Sequence, residues 1–358
     1  MKKIRHEVGH HQDCFPGKEQ TIMGSALPSV RSIADLARMA RVSVSTVSRA
    51  LTGKGTLNPS TRERIRALAA DHGFRLNVAA QNLRLGRTGA IGVLFVPGKD
   101  ATQGLTDPFF CAMIGQIAHA LTARGYDVLL PRALEQGSDW LEDFVRSGRT
   151  DGIILIGQSD QATIIDRTGA DYAPMVVWGA HAPGNRYNTV GLDNHAGGAL
   201  IARHLLERGC RKLAWFGHAH AGEFAAREAG FLAALPEDLY ASCARVCCLA
   251  TPDSGLATAR AWFTAGNRAD GVAAACDRIA IGVVEAAREF GIAVPEDMAV
   301  AGFGDMVSAQ LNHPPLTTVR QDIPEAARAL VDLLLRRIAG TEAQSVQLAP
   351  QLVIRQSA

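Results

Sequence analysis

Two histidines near the start of the chain have the spacing of a zinc site. His6 and His10 lie four residues apart with Glu7 between them, which matches the HExxH pattern of zinc hydrolases. That chemistry needs both histidines on one turn of a stable helix, together with a third ligand. Gly9 interrupts the segment, and residues 1–29 are polar without a helical period. We therefore predict a disordered arm over 1–29 and no metal, with a zinc hydrolase as an alternative hypothesis.

The distribution of charge indicates a second chemistry, the binding of phosphate groups. Residues 31–87 hold 11 Lys or Arg and 3 Asp or Glu, whereas the rest of the chain holds 26 basic and 32 acidic residues. The formal net charge of +2 is therefore the sum of a basic segment over 31–87 and an acidic remainder of the chain. Such a segment is typical of proteins that bind nucleic acids. A small helical bundle with a solvated basic face is the alternative.

Three short helices are predicted within this basic segment. Ser32 begins the first, with Asp35 at the spacing of a capping box; Ser43 begins the second, and Asn58 followed by Pro59 begins the third. The apolar residues at helical spacing are Ile33, Leu36, Ala37, Val47, Ala50, Leu51, Ile65, Leu68 and Ala69. Two short helices joined by a tight turn predict a helix-turn-helix, whose second helix enters the major groove of DNA.

Three motifs in the basic segment are shared with a known family. Residues 40–51 have the sequence ARVSVSTVSRAL, residues 58–65 NPSTRERI and residues 77–84 NVAAQNLR. They resemble the AGVSxxTVSRxL, VSxxTRxRV and PNxxAxxLR motifs of the LacI-type (lactose/galactose repressor) family of transcription regulators. The resemblance implies an all-α helix-turn-helix head over 30–76, followed by a hinge helix and linker over 77–87.

The resemblance also implies roles for single residues. Val44, Ser45 and Arg49 hold the base-reading positions of the family, and the planar fork of Arg49 suits guanine. Ser43 and Ser48 are better placed for phosphates, which position the protein without specifying sequence. The full predicted DNA-binding set is Ser32, Ser43, Val44, Ser45, Thr46, Ser48, Arg49, Asn77, Ala80, Leu83 and Arg84.

The hinge and the turn carry further expectations. Leu83 matches the hinge leucine that wedges into a base step from the minor groove and bends the duplex, although an ordinary packing leucine is the alternative. Two positions depart from the family. Arg41 replaces the turn glycine, so a left-handed backbone is expected there at some strain. Leu76 replaces the hinge proline, so a less rigid entry to the hinge is expected.

Beyond residue 90 the pattern changes to short apolar runs that alternate with amphipathic segments. Strands are predicted at 91–96, 126–130, 152–156, 175–178, 212–216, 244–249, 271–275 and 298–302, with helices between most of them. Continuous apolar strands separated by helices indicate parallel sheets that are covered on both faces. Two α/β units of about 110–130 residues fit the usual size of a domain.

Further motifs extend the resemblance over roughly 31–355 of the chain. Residues 190–209, 227–231, 294–303 and 314–319 are similar to the family motifs VxxDNxxGxxxAxxHLLxxG, RxxGF, VPEDxxVxGF and PPLTTV. They imply a two-lobed α/β body over 88–358, like the periplasmic binding proteins, with parallel sheets and three crossovers. The first lobe is expected to comprise about 88–190 and 320–340, and the second about 195–313 and 345–355. The first two crossovers are expected near 190–194 and 314–319, and segment 346–354 is expected to return to the second lobe.

Ligands of open α/β sheets bind beyond the carboxyl ends of the strands, and clefts between domains favour pockets. Aromatic faces and hydrogen-bonding groups at these ends suit a sugar. Asp107, Phe109 and Phe110 follow the first predicted strand, Gln158 follows the third, and Trp178 ends the fourth. These five are predicted effector-binding residues of the first lobe. Core packing is the alternative for the tryptophan and the phenylalanines.

In the second lobe the resemblance implies the remaining candidates. Arg227 holds the effector-binding arginine position of the family, and its planar donors suit a diol or a carboxylate. Cys276 and Asp277 stand where the family has Asn-Asp, and Asp305 is expected to substitute for a lost carboxylate of its GFDD motif. Because these departures remove polar groups, a larger glycoside or oligosaccharide is the expected effector.

Composition excludes several other classes of protein. The 358 residues include seven cysteines without a CxxC pair or metal-finger spacing, which favours a reduced, cytoplasmic compartment. Neither an apolar run of membrane length nor a secretion signal is present, so no membrane association is expected. No phosphate loop, nucleophile elbow or dinucleotide motif occurs, so we predict no catalytic residues and no cofactor.

The combined prediction is a transcriptional regulator, most commonly in this family a repressor, that binds a near-palindromic double-stranded operator under the control of a sugar. Because the chain ends without a leucine heptad, we expect a homodimer rather than a tail-joined tetramer. The hinge over 77–85 is expected to fold only against DNA. A sugar-binding module of transport type is the alternative that the body alone would allow.

Overall fold

The computed structural model describes residues 30, 32–53, 55–75, 82, 86–96, 107–131, 139–158, 161–182, 184–218 and 222–358. The chain divides into two compact units, Met1–Gln81 and Asn82–Ala358, here called the head and the body. Several predictions fall outside the described residues. These are the arm over 1–29 with His6 and His10, the hinge position Leu76, and the DNA-binding candidates Asn77, Ala80, Leu83 and Arg84.

The head consists of three helices, α1 (Ile33–Ala40), α2 (Val44–Thr52) and α3 (Pro59–Asp71). The predicted caps form. Ser32 and Asp35 make a reciprocal capping box on α1, Ser43 accepts from the backbone N–H of Thr46, and Asn58 caps α3. The core of the head comprises the buried residues Leu36, Ala37, Ala40, Val47, Ala50, Ile65 and Ala69. The three predicted helices are therefore confirmed.

The turn between α1 and α2 contains Arg41 in a left-handed conformation, with φ 53° and ψ 45°. Its backbone N–H donates to the carbonyl oxygens of Ala37 and Arg38, which ends α1 as a C-cap. A residue with a Cβ atom adopts this conformation at a cost of about 1 kcal/mol. The expected strain at this position is therefore present in the backbone.

The first lobe of the body is built on a six-stranded sheet with the strand order β11-β5-β4-β3-β1-β2. Its strands, all parallel, are β1 (Ala90–Phe95), β2 (Asp127–Leu129), β3 (Gly152–Ile156), β4 (Met175–Trp178), β5 (Asn188–Leu192) and β11 (Val346–Leu348). The helices of this lobe are α4 (Pro108–Thr122), α5 (Trp140–Arg146), α6 (Ala162–Asp171) and α13 (Ile323–Ile338). Strand β3 is buried along its whole length, as an apolar run inside a parallel sheet requires.

The second lobe has a second six-stranded sheet, in the order β12-β10-β9-β8-β6-β7. Its strands are β6 (Leu213–Phe216), β7 (Ala244–Val246), β8 (Gly271–Ala274), β9 (Ala299–Gly304), β10 (Thr317–Arg320) and β12 (Gln351–Val353), of which only β12 is antiparallel. The helices are α7 (Asn194–Glu207), α8 (Gly222–Ala233), α9 (Glu237–Ser242), α10 (Pro252–Thr264), α11 (Asp277–Glu289) and α12 (Val307–Leu311).

The chain crosses between the lobes three times, as predicted, but the positions of two crossovers differ from those expected. The first follows β5, as expected. The second comes just after β10, slightly beyond the expected region near 314–319, because β10 pairs with β9 in the second sheet. The third lies between β11 and β12. Segment 346–354 therefore does not return whole to the second lobe, because Val346 pairs with Val190 of β5 in the first sheet.

These observations confirm the predicted fold class, a helical head and a two-lobed α/β body with mostly parallel sheets. Among the described residues, the longest apolar helices still fall short of what crossing a membrane would need.

Candidate functional site

The exposed face of α2 in the head carries all three predicted base-reading residues. Val44 is 40% exposed, and Ser45 and Arg49 are exposed as well, whereas Thr46 and Ser48 are partly buried. The hydroxyl of Ser43 lies 2.8 Å from the hydroxyl oxygens of Ser45 and Thr46, so this side chain also organises the first turn of the helix. The face therefore presents hydroxyl, aliphatic and guanidinium groups to solvent from a helix whose other side is buried.

A cavity of about 160 Å³ lies in the body where the carboxyl ends of the two sheets face each other. A single water needs only roughly 10–15 Å³, so the cavity has room for a ligand much larger than water. Of the nine predicted effector residues, eight line this cavity. They are Asp107, Phe109, Phe110, Gln158, Trp178, Arg227, Cys276 and Asp277. The cavity is called the cleft below.

The first lobe supplies the aromatic wall of the cleft. The ring centroids of Phe109 and Trp178 are 6.3 Å apart, and those of Phe109 and Phe110 are 5.5 Å apart. Trp178 and Phe110 belong to the hydrophobic core as well as to the cleft lining, so the core alternative is confirmed for both and their role in binding stays a prediction. Gln158 donates from Nε2 to the carbonyl oxygen of Ala180 (2.9 Å) and to the Tyr187 hydroxyl (3.0 Å).

Arg227 of α8 is the central cation of the second lobe and is 6% exposed. Its Nε donates to Oδ1 of Asn194 and its Nη1 donates to the carbonyl oxygen of Ala275, each at 2.8 Å. The guanidinium carbon lies 3.8 Å from the ring centroid of Phe303 and 5.0 Å from that of Phe224. Burial lowers the pKa of Arg227 to about 10, which leaves it protonated at neutral pH. With two of its nitrogens bound, the guanidinium is held in a fixed orientation in the cleft wall.

Two glycines allow the helices that hold Arg227 to come this close. A Cβ atom on Gly198 of α7 would lie 2.0 Å from the carbonyl oxygen of Arg227. A Cβ atom on Gly230 of α8 would lie 1.9 Å from the carbonyl oxygen of His195. Any larger residue at either position would push α7 and α8 apart. Gly198, directly after the DNxxG segment, and Gly230 of the RxxG segment therefore position the arginine through close backbone packing.

Glu223, one helical turn before Arg227, also lines the cleft and was not among the predicted residues. Burial raises the pKa of Glu223 above its ordinary value, while the charge of Arg227 opposes this shift. The i, i+4 spacing to Arg227 was the signal in the sequence that pointed to it. The pair gives this wall both a donor and an acceptor.

Asp277 of α11 is 1% exposed and accepts two hydrogen bonds. The Thr318 hydroxyl donates to Oδ1, and the backbone N–H of Met306 donates to Oδ2 at 3.0 Å. Burial raises the pKa of Asp277 to about 6, and these two hydrogen bonds limit the rise. Asp277 thus ties the cleft lining to β10, which leads into the second crossover. Burial also raises the pKa of the neighbouring Cys276 thiol.

Asp305 does not contribute its side chain to the cleft lining, contrary to the prediction. Its carboxylate accepts from Arg320 Nε (2.6 Å) and from Arg355, and its side chain is 4% exposed. The backbone at Asp305 is left-handed, with φ 58°, which turns the side chain toward these two arginines. Asp305 therefore joins the strand before the second crossover to the segment after β12.

Asp107 lines the cleft but is already paired. Its Oδ1 caps α4 by accepting from the N–H of Phe109 at 2.9 Å, and its Oδ2 lies 2.7 Å from Nη1 of Arg278 in the second lobe. Among the described residues, no group of three or more His, Cys, Asp or Glu could hold a metal ion.

Comparisons with known proteins agree with both units. Residues 32–77 match the sequence model of the family described as "Bacterial regulatory proteins, lacI family", and residues 202–358 match that of a "Periplasmic binding protein-like domain". The HTH-type transcriptional regulator MalR of Streptomyces coelicolor is 30% identical over 341 residues, which cover 91% of this chain and 96% of that protein.

The solved structures of similar proteins include two that each cover 91% of the chain. The transcriptional regulator CelR in complex with cellobiose is 25% identical, with a TM-score of 0.64 and 99% of that chain covered. The lac repressor dimer bound to operator and the anti-inducer ONPF is 23% identical, with a TM-score of 0.76 and 98% covered. The latter identity supports the shared fold alone.

Proposed function

The chain belongs to the LacI family of bacterial transcriptional regulators, and from this membership we propose that it is a repressor whose operator affinity is controlled by a sugar or glycoside bound between the lobes. Arg227 carries this proposal. It is a buried, fixed guanidinium in a cleft whose opposite wall is aromatic. Planar donors suit sugar hydroxyls, and aromatic rings suit the C–H faces of sugar rings.

The nature of the ligand is supported by the balance of charge in the cleft. The cations Arg227 and Arg278 are matched by Glu223, Asp277 and Asp107, so no net positive charge is left to favour a phosphate or another anion. The structure of the relative CelR contains cellobiose. A neutral mono- or oligosaccharide is therefore the class of effector that we propose.

The operator is proposed to be read by the exposed face of α2. Arg49 would contact guanine in the major groove, with Val44 and Ser45 beside it and Ser32, Ser43, Thr46 and Ser48 nearer the phosphates. We also propose that the hinge contacts the minor groove, and this rests only on the sequence motif of residues 77–84. The candidate residues there are Asn77, Ala80, Leu83 and Arg84. A repressor acts on chromosomal DNA, so the cytoplasm is the proposed compartment.

A homodimer is proposed from the exposed apolar residues of the second lobe. Val307 and Leu311, one turn apart on α12, are 66% and 71% exposed, and Ile354 is 64% exposed. Val307 and Leu311 share one face of a short helix, and an exposed apolar face is a candidate interface with a second copy of the chain. A twofold dimer would present two copies of α2 to a near-palindromic operator.

Fluorescence anisotropy tests this proposal. The full chain is titrated against duplexes from upstream of its own gene, at several salt concentrations, with cellobiose and a panel of mono- and disaccharides. We expect tight, salt-dependent binding to one duplex that one sugar weakens. Equal affinity for scrambled DNA would reject the proposed sequence-specific binding. A specific complex that no sugar affects would reject the proposed control by a sugar.

A further inference from the structure

Arg278 and Asp107 form a bridge across the cleft. Arg278 is the second residue of α11 in the second lobe, whereas Asp107 precedes α4 in the first lobe. Nη1 of Arg278 lies 2.7 Å from Oδ2 of Asp107. Of the ion pairs between described residues, this one alone joins the two lobes. A movement that opens the cleft must separate it.

The positions of the two charges on their helices explain why they pair. The negative charge of Asp107 lies at the N-terminus of α4, where the helix dipole favours it. Arg278 lies in the first turn of α11, where the dipole disfavours a cation. The N-cap residue Cys276 makes no side-chain cap hydrogen bond there. Asp107 therefore caps one helix and, beside Asp277 as the acidic first residue of the other, neutralises the cation in that helix's first turn.

Burial makes this pair stronger than a surface ion pair. The side chain of Asp107 is 5% exposed and that of Arg278 is 22% exposed. Exposed pairs contribute little because water and salt screen them, whereas a pair sheltered in a cleft is screened less, and substitution of one partner leaves the other charge uncompensated. The contact therefore favours the closed arrangement of the lobes.

We propose that Arg278 is a positioning residue that, through Asp107, sets the equilibrium between closed and open arrangements of the two lobes. An effector can change the lobe orientation only if it binds one arrangement more tightly than the other. Because the ion pair stabilises the closed arrangement, it determines how large this difference in affinity must be to shift the equilibrium. The regulatory consequence rests on the proposed function, whereas the effect on lobe closure does not.

The chain carries its own probes for a test. Cys276 lines the cleft beside Arg278, Cys247 is exposed, and Cys210 is buried in the core of the same lobe. Alkylation of the full chain by N-ethylmaleimide is followed for each cysteine by mass spectrometry. The rate at Cys276 relative to Cys247 reports opening of the cleft, and the rate at Cys210 reports global unfolding. Burial raises the pKa of Cys276 and the charge of Arg278 lowers it, so removal of this charge alone would slow alkylation, and a faster rate in Arg278→Gln therefore reports opening.

The variants are Arg278→Gln, Asp107→Asn, their double mutant and Arg278→Lys. Asparagine at position 107 keeps an oxygen for the cap of α4. Arg260→Gln serves as the control, because it breaks an exposed ion pair between α10 and α11 of the second lobe. Neither DNA nor sugar enters the measurement, so its result is independent of whether the proposed function holds.

We expect either single substitution to raise the relative rate at Cys276 at least about threefold, and the double mutant to raise it no further. Arg278→Lys should restore most of the wild-type rate, and Arg260→Gln should leave it unchanged. An unchanged rate at Cys276 in both single variants, additive effects in the double mutant, or a parallel rise at Cys210 would each overturn the proposal.

Discussion

The recognition face of the head and the cleft of the body hold their functional side chains in opposite ways. On α2 the base-reading candidates Val44, Ser45 and Arg49 are exposed, Val44 by 40%. In the cleft, Arg227 and Asp277 are 6% and 1% exposed, and each makes two hydrogen bonds to other parts of the second lobe. The head keeps its polar groups for a partner, whereas the body binds its own polar groups to one another.

In the head, the residues that bind a partner are therefore different from those that stabilise the fold. In the cleft, the same residues serve both purposes. An exposed side chain contributes little to folding, so replacing it should affect only the partner. A buried charge that holds several groups together contributes to folding and to the geometry of the site at once. The predictions below follow from this contrast, from the largest expected effect to the smallest.

Arg227→Met should destabilise the body by about 2–4 kcal/mol, because it leaves the Ala275 carbonyl and the charge of Glu223 without their partner. Chemical denaturation of the full chain measures this effect. Arg208→Met, at an exposed position of the same lobe, is the control and should stay within about 0.5 kcal/mol of wild type. Equal stability of both variants would contradict the role given to Arg227.

Arg49→Ala should weaken operator binding by about 1–3 kcal/mol, or roughly ten- to a hundredfold, without changing the unfolding midpoint. Anisotropy on the specific duplex and thermal unfolding are the two measurements. Arg64→Ala, on the exposed face of α3, is the matched control for loss of a basic residue. A loss of equal size on unrelated DNA would show that Arg49 contacts phosphates rather than a base.

Asp277 should make the body more stable as the pH falls from about 7 toward 4. Its folded pKa of about 6 lies above the ordinary value of 3.8, so the folded protein takes up a proton in this window while the unfolded chain remains ionised. The gain has a slope of at most about 1.4 kcal/mol per pH unit.

Asp277→Asn isolates this contribution, because all other titrating groups are the same in both proteins. The lowered pKa values of Asp166, Glu285 and Glu289 act in the opposite direction, but at lower pH. Urea unfolding of wild type and variant at pH 5 and pH 7.5 should give a stability difference that shifts in favour of wild type at pH 5. The same difference at both pH values would rule out a raised pKa.

Arg41→Gly should stabilise the turn of the head by about 0.5–1 kcal/mol, because glycine adopts the left-handed conformation without strain. Gly53→Ala is the complementary substitution, which places a side chain at a left-handed position instead of removing one. That residue has φ 74° at the end of α2, so a side chain there should destabilise the helix. Hydrogen exchange of the amides of α1 and α2 measures both, and protection changing in the same direction would contradict the account.

The sequence predicted best what short stretches of chain determine. The caps Ser32, Ser43 and Asn58 were correct because a cap needs only residues within one helical turn. The bounds of β3 and β4 were correct because a strand in a parallel sheet is an uninterrupted apolar run between polar turns.

The sequence failed where distant residues decide the outcome. Strand β11 is three residues long, and its assignment to the first sheet depends on its pairing with β5. The carboxylate of Asp305 is drawn to Arg320 and Arg355, which lie near it only once the crossovers have formed. The pairing of Asp107 with Arg278 likewise requires both lobes to be in place.

Isothermal titration calorimetry tests the central claim, that one sugar and one operator bind the same protein with linked affinities. The sugar found by anisotropy is titrated into the full chain alone and into its complex with the operator duplex. We predict that DNA weakens sugar binding by the same factor by which the sugar weakens DNA binding, because linkage is reciprocal. Equal sugar affinity with and without the duplex would contradict control of the head by the cleft.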